Sequence, residues 1–267
     1  MNWNRILVLM FYDVRLSVFR IKGLLFLLPY CLFWYWVLKL LFNSGNEALT
    51  SVQSIALLSW LYHHEVANTL LIQHPPILSL FYLITLATLP AFAMLAGHNQ
   101  LAGDAGKQTF RYYLTRTTRL EIFTGRFLGF YILLGFASIL TNIITIIISL
   151  ANDQYSLNET VNYAFQIQVC ILLYILPFAA YVIAISALMS SALSSLLMCL
   201  VTYVFLLMAG SAIQMDNAIQ ISLVPGVIRE LLVGLRPQDL WYAVTGALFY
   251  TCIYLVLGWT IFKRRNL

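Results

Sequence analysis

Residues 103–126 read GDAGKQTFRYYLTRTTRLEIFTGR, a polar, basic stretch set between two of the most apolar parts of the chain. It carries Asp104, Lys107, Arg111, Arg116, Arg119, Glu121 and Arg126, whereas no Asp, Glu, Lys or Arg occurs between Glu65 and Asp104 or between Arg126 and Asp153. Each uncharged flank is long enough to hold a membrane span, which needs about 20 apolar residues to cross a core roughly 30 Å thick. The stretch is therefore a connector between two spans, and it is longer and more strongly charged than a plain turn requires.

Its internal pattern predicts folded structure. From Thr109, the run TFRYYLT places Phe110, Tyr113 and Leu114 on one helical face and Arg111 and Thr115 on another. Thr117-Thr118 then offers an N-cap, with Glu121 three residues after Thr118 as in a capping box. The second helix, RLEIFTGRFLGF, leads directly into the next span. A polar helix-turn-helix held at the membrane surface is suited to docking a soluble partner.

The rest of the chain agrees with a membrane setting. Hydrophobic residues make up 61% of the 267 residues and charged residues 9%, against about a quarter charged in soluble domains; mean hydropathy is +0.85. Six stretches qualify as spans: about 23–42, 76–97, 127–150, 163–188, 193–213 and 241–262. No charge falls between Glu159 and Asp216, a run long enough for two crossings, and MSSALSS (Met189 to Ser195) is the expected hairpin between them. The predicted fold is all-α: a single polytopic transmembrane domain over 1–267, with six transmembrane helices and a folded connector between the second and third.

With six spans both termini share a side. That side collects Arg5, Arg15, Arg20, Lys22, Lys107, Arg111, Arg116, Arg119, Arg126, Lys263, Arg264 and Arg265 against Asp13, Asp104 and Glu121. The other side holds Lys39, Arg229 and Arg236 against Glu47, Glu65, Asp153, Glu159, Asp216, Glu230 and Asp239. Twelve basic residues against three place both termini in the cytoplasm by the positive-inside rule. The pI of about 9.0 thus reflects topology and not nucleic-acid binding. The N-terminus lacks the short apolar core and small-residue cleavage site of a signal peptide, so it is expected to be retained.

In MNWNRILVLMFYDVRLSVFRIKG, residues 1–23, Trp3, Ile6, Leu7, Met10, Phe11, Val14 and Val18 supply an apolar surface. Asn2, Arg5, Asp13, Ser17 and Arg20 cluster opposite it, with Leu9 and Leu16 intruding. This predicts an interfacial helix over 1–22 lying on membrane lipid at the cytoplasmic face, or alternatively a helical extension of the first span. On the other side, the outer segment 43–75 contains SVQSIALLSWLYHHEVANTLLIQHP, which is expected to form one or two short helices on the outer surface. The neighbours His63, His64 and Glu65 read as an interfacial polar patch more readily than as a metal site, which favours i, i+4 spacing. Residues 227–235, VIRELLVGL, predict a short amphipathic helix over the outer end.

No GxxxxGK[ST], GxGxxG, GxSxG or HExxH occurs, and the middle of every span is free of Asp, Glu, Lys and Arg, with Lys39 close enough to the outer end of the first span to snorkel. An intrinsic enzyme is not expected, nor a metal site. The same absence argues against ion-coupled pumping, which needs ionisable groups inside the membrane. The four cysteines lie in apolar runs without metal or redox spacing and read as small core residues. Thr141, Asn142 and Thr145 in the third span and Gln166 and Gln168 in the fourth either face a translocation path at a dimer seam or bond helix to helix.

The connector resembles one in permeases of type-2 ABC exporters, which carry G-E-x4-T-L-x-x-L-L-x-x-P-x-x-R-x-E-I-L-L-G-K after their second span. Gly103-Asp104, Thr109-Phe110, Leu114-Thr115, Arg119-Leu120-Glu121-Ile122 and Gly125-Arg126 fall in that order and nearly that spacing. The departures are Asp104 for Glu, Thr117 for Pro, Arg126 for Lys and one residue fewer before Arg119. The resemblance implies a homodimer bound to two copies of a separate ABC ATPase subunit that carries the ATP and Mg. It implies that 103–121 acts as the coupling helix, with Asp104, Lys107, Thr109, Arg111, Thr115, Arg116, Thr117, Arg119, Glu121 and Arg126 as coupling residues. A lumen lined by Tyr, Phe, Thr, Asn and Ser, for example from spans two and five, suits amphiphilic or hydrophobic cargo in a permease of the inner membrane. Two rivals stand beside it: an ABC-type complex that transmits force or hands a factor to an extracytoplasmic soluble protein, and an ATP-independent channel or scaffold.

Overall fold

A computed structural model describes residues 3–19, 21–49, 70–106, 114–115, 117–152, 155–212, 227–235 and 237–265, and among these there is no strand. The helices are α1 (Trp3–Phe19), α2 (Ile21–Leu49), α3 (Pro76–Gly97), α4 (Ala102–Gly106), α5 (Arg119–Asn152), α6 (Leu157–Leu188), α7 (Ala192–Ala212), α8 (Val227–Val233) and α9 (Pro237–Arg264). Five of them, α2, α3, α5, α6 and α9, are long and apolar enough to cross a membrane. The chain is on that ground a multi-pass membrane protein. The expected fifth of six spans falls on α7, whose described apolar part, Ala192–Met208, is shorter than the other five.

The helix starts follow local chemistry. Ser156 caps α6 through a full capping box, its Oγ accepting from Glu159 N at 3.3 Å while Ser156 N donates to Glu159 Oε2 at 3.2 Å. The same reciprocal pair opens α5: Thr118 N donates to Glu121 Oε2 at 2.9 Å and Glu121 N to Thr118 Oγ1 at 3.4 Å. Pro76 stands at the first turn of α3, where its missing N–H costs nothing. Between α6 and α7 only Met189, Ser190 and Ser191 are non-helical, inside the expected hairpin, and Ser191 Oγ accepts from Ser194 N at 3.2 Å. The second helix of the connector and the third span are one continuous helix, α5, of 34 residues.

The core lies around α6 and α3. Of their spanning windows 78% and 72% is buried, against 33% for α2 and 22% for α9, so α6 and α3 form the interior and α2 and α9 the periphery. Apolar residues occur all round α6, among them Ile167, Ile171, Tyr174, Ile175, Phe178, Val182 and Ile183, all buried, as expected of a helix enclosed by others. Small residues set the closest approaches. A Cβ on Gly258 of α9 would lie 2.9 Å from Ala184 Cα of α6, and one on Gly97 of α3 would lie 2.6 Å from both Phe130 and Val182 side chains.

At one end of the bundle, α8 buries Ile228, Leu232 and Val233, and Tyr82 Oη of α3 donates to the Leu232 carbonyl at 2.9 Å. This is the short helix predicted in VIRELLVGL. At the opposite end α1 sits on the start of α5. Ile6 and Met10 are buried, and a Cβ on Gly125 would lie 3.1 Å from Leu9 Cβ. Leu9, which intrudes on the polar stripe in sequence, is thus on the packing side of α1. Trp3, Leu7 and Phe11 of the same apolar set remain exposed.

Candidate functional site

The expected coupling segment begins with a helix that its residue pattern does not announce. Ala102–Gly106, AGDAG, forms α4 although it contains two glycines, which are poor helix formers. Its support comes from elsewhere in the fold. Ser186, fully buried near the end of α6, accepts from the backbone N–H of Leu101 and of Ala102, both at 3.0 Å, and donates to the His98 carbonyl at 3.2 Å. One hydroxyl therefore holds the turn between α3 and α4 against α6 and satisfies two donors at a helix start. Ser186→Ala is expected to leave those buried N–H groups unbonded, a loss of about 1–3 kcal/mol, read as a lowered thermal unfolding midpoint in detergent.

The two glycines of α4 have distinct roles. A Cβ on Gly106 would stand 2.4 Å from the Ser190 carbonyl in the α6–α7 hairpin, and one on Gly103 2.0 Å from Asn99 Oδ1. Asp104 between them forms an ion pair with Arg126 of α5. Its carboxylate also lies in the first turn of α4, where a negative charge complements the helix dipole.

Arg119 and Glu121 turn inward. Glu121 is almost completely buried, its carboxylate held by Thr118 N. Arg119 Nη1 donates to the carbonyls of Lys263 at 2.7 Å, Arg265 at 2.8 Å and Phe262 at 3.4 Å. The Phe262 and Lys263 carbonyls belong to the last turn of α9, where carbonyls lack partners within the helix, and Arg265 follows it directly. Arg265 Nη1 in turn donates to the Ala187 and Met189 carbonyls, at 2.8 and 2.9 Å, where α6 ends. Burial lowers the pKa of Arg265 from the usual arginine value.

Of the ten residues expected to couple to a partner, Asp104, Arg119, Glu121 and Arg126 are thus brought together at one end of the bundle, bonded within the chain. Thr117 is half-buried just before the α5 cap and Thr115 is exposed. Lys107, Thr109, Arg111 and Arg116, and with them the helix expected from Thr109, lie outside the described residues, as do His63, His64 and Glu65. Among the described residues no group of three His, Cys, Asp or Glu is placed to hold a metal.

The polar residues of the spans form a second cluster. Asn142 Nδ2 donates to Gln168 Oε1 at 2.9 Å and to the Ala164 carbonyl at 3.1 Å, and Gln168 Nε2 donates to Ser138 Oγ at 3.0 Å. Thr141 hydroxyl bonds the Ala137 and Ser138 carbonyls and meets Tyr30 Oη of α2 at 3.3 Å. Thr145 is fully buried, its hydroxyl on the Thr141 carbonyl at 2.8 Å. Asn142 and Gln168 therefore meet at the α5–α6 contact, Thr141 faces Tyr30 of α2 and Thr145 bonds its own helix, whereas Gln166 is exposed on a different face of α6. Asn142 Oδ1 is buried, with no hydrogen-bond donor among the described residues. Beside this cluster a cavity of about 20 Å³, lined by Tyr30, Trp34, Thr85, Thr88, Ser138 and four apolar residues, has room for a single water.

At the end that carries α8, His74 stacks on Tyr163 with ring centroids 4.3 Å apart, and Tyr163 Oη bonds Ser79 Oγ at 2.9 Å. Burial lowers the His74 pKa, which favours the neutral ring. In sequence His74 is an isolated span-end residue, since its partner is 89 positions away. No known family model matches this chain, and no curated protein matches it.

Proposed function

We propose that the chain is the transmembrane permease subunit of an ATP-driven ABC exporter of amphiphilic or hydrophobic cargo. It works as a homodimer with two copies of a separate ATPase, lies in the inner membrane as six spans, and keeps both termini in the cytoplasm. α1 is the interfacial helix and residues 103–121 the coupling helix. The observation that carries this reading is the anchoring of the basic connector. Asp104 is tied to α5, Ser186 ties the turn before α4 to α6, and Arg119 ties the start of α5 to α9. A push delivered there from outside the membrane reaches three spanning helices directly, which is what a subunit with no phosphate cradle of its own requires.

The test is to co-express the chain with an ATPase encoded beside its gene and purify on a tag carried by the chain. Equal numbers of the two subunits and hydrolysis stimulated by the permease are the expected result. A chain that purifies alone, with no effect on the ATPase, overturns the reading and favours the channel or scaffold.

A further inference from the structure

Two arginines at the basic end make bonds that neither their charge nor their place in the sequence requires. Arg119 opens α5, yet its guanidinium reaches carbonyls more than 140 positions away at the end of α9. Arg265 follows α9, yet its guanidinium closes the end of α6. Each set of bonds comes from one guanidinium nitrogen, Nη1, whose two N–H groups lie at the end of a long side chain and reach several carbonyls at a helix terminus. The two sites share a residue: the Arg265 backbone carbonyl accepts from Arg119 while the Arg265 side chain donates to Ala187 and Met189. The start of α5 is thereby joined through the end of α9 to the end of α6.

We infer that Arg119 and Arg265 form a relay that transmits displacement of the basic connector to α9 and α6, and that Arg119 is a positioning residue and not a contact for the partner subunit. The geometry of the relay stands on its own, and its use in coupling rests on the permease reading above. Three features support the assignment. The Arg119 Nη1 group is committed to carbonyls within the chain. Residues on both sides of the relay are tightly seated: Phe262 is fully buried, and Phe123 of α5 packs against it with ring centroids 6.0 Å apart. Gly258, one turn before Phe262, lets α9 approach both Ala184 of α6 and Phe123 of α5. At this end α5, α6 and α9 therefore pack as one contact, and a bonded link across it carries motion without slack.

The experiment uses the full chain in lipid nanodiscs and amide hydrogen exchange at 262–265 and 187–191. Arg119→Met is expected to speed exchange at both places by about tenfold or more, because charged donors to carbonyls are lost. Arg265→Met is expected to speed exchange at 187–191 alone, since its backbone carbonyl still accepts from Arg119. If Arg119→Met does not fold, Arg119→Lys, which keeps the charge but ends one bond short of the position of Nη1, gives the same comparison. Wild-type exchange at 187–191 in Arg265→Met, or an Arg119 effect confined to 262–265, overturns the relay. With the ATPase added, both variants should bind it as the wild type does while stimulating hydrolysis about tenfold less. Weakened binding by Arg119→Met would make Arg119 a contact residue and overturn the positioning role. A wild-type chain that binds no ATPase would sink the permease reading and leave the exchange result to decide the relay.

Discussion

Asp104→Lys is expected to loosen the basic end of the bundle and, in the assembled complex, to abolish stimulation of the ATPase. The substitution removes the acid that faces Arg126 and puts a second cation beside it. The side chains of Arg126 and Asp104 are 11% and 23% exposed, so the pair is neither a solvated surface bridge nor a dry interior one. Exposed pairs contribute up to about 1 kcal/mol and broken buried pairs cost about 3–5 kcal/mol; a loss of about 1–3 kcal/mol lies between these limits. The charge-swapped double variant, Asp104→Lys with Arg126→Asp, should recover part of it, although the acid then leaves the first turn of α4. The unfolding midpoint in detergent measures the stability change, and hydrolysis by the reconstituted complex measures coupling. Failure of the double variant to exceed Asp104→Lys alone in either measurement would show that the two residues act independently.

Gly258→Leu is expected to separate α9 from α6 and to cost more than any other single change at this end. A Cβ at this position would stand 2.9 Å from Ala184 Cα, 3.0 Å from Phe123 Cζ and 3.1 Å from Ala184 Cβ. Two of the three atoms belong to a short side chain or to backbone in the most enclosed helix, and neither can swing aside. Even Gly258→Ala should cost about 1–3 kcal/mol by overpacking. The leucine variant should lose the closed α5–α6–α9 contact altogether, seen as aggregation or an early-eluting species in size exclusion. Gly246→Ala is the control, because among the described residues its Cβ would meet only Ile228 Cγ1, at an ordinary 3.7 Å. Equal behaviour of the two glycine variants would refute the packing argument.

Much of the helical order is legible in the residue pattern itself. An uncharged run of membrane length has few alternatives to a helix, because backbone polar groups must be satisfied within the segment. Helices stand within a few residues of the expected stretches for α3, α6, α7 and α9, α7 being too short in its described apolar part to count with the five spanning helices, and the Met189–Ser191 break and the Thr118–Glu121 cap stand where the pattern puts them. α4 is not legible in this way, since AGDAG opposes helix by propensity and folds because Ser186 supplies an acceptor from another span. Nor is the direction in which the connector's charges point: a basic residue in sequence looks the same whether it meets solvent, a partner or the end of a distant helix.

The residues alone decided that this chain is helical and apolar enough to cross a membrane several times, and that a charged connector interrupts it after the second apolar run. Those properties are local: they follow from the length of uncharged segments and from turns and caps spanning three or four positions. Only the tertiary structure decided that Arg119 closes α9, that Arg265 closes α6 and that Asp104 meets Arg126. Each of those bonds joins groups from different helices, and which distant carbonyl a guanidinium reaches depends on how closely small residues such as Gly258 and Ala184 let the helices approach.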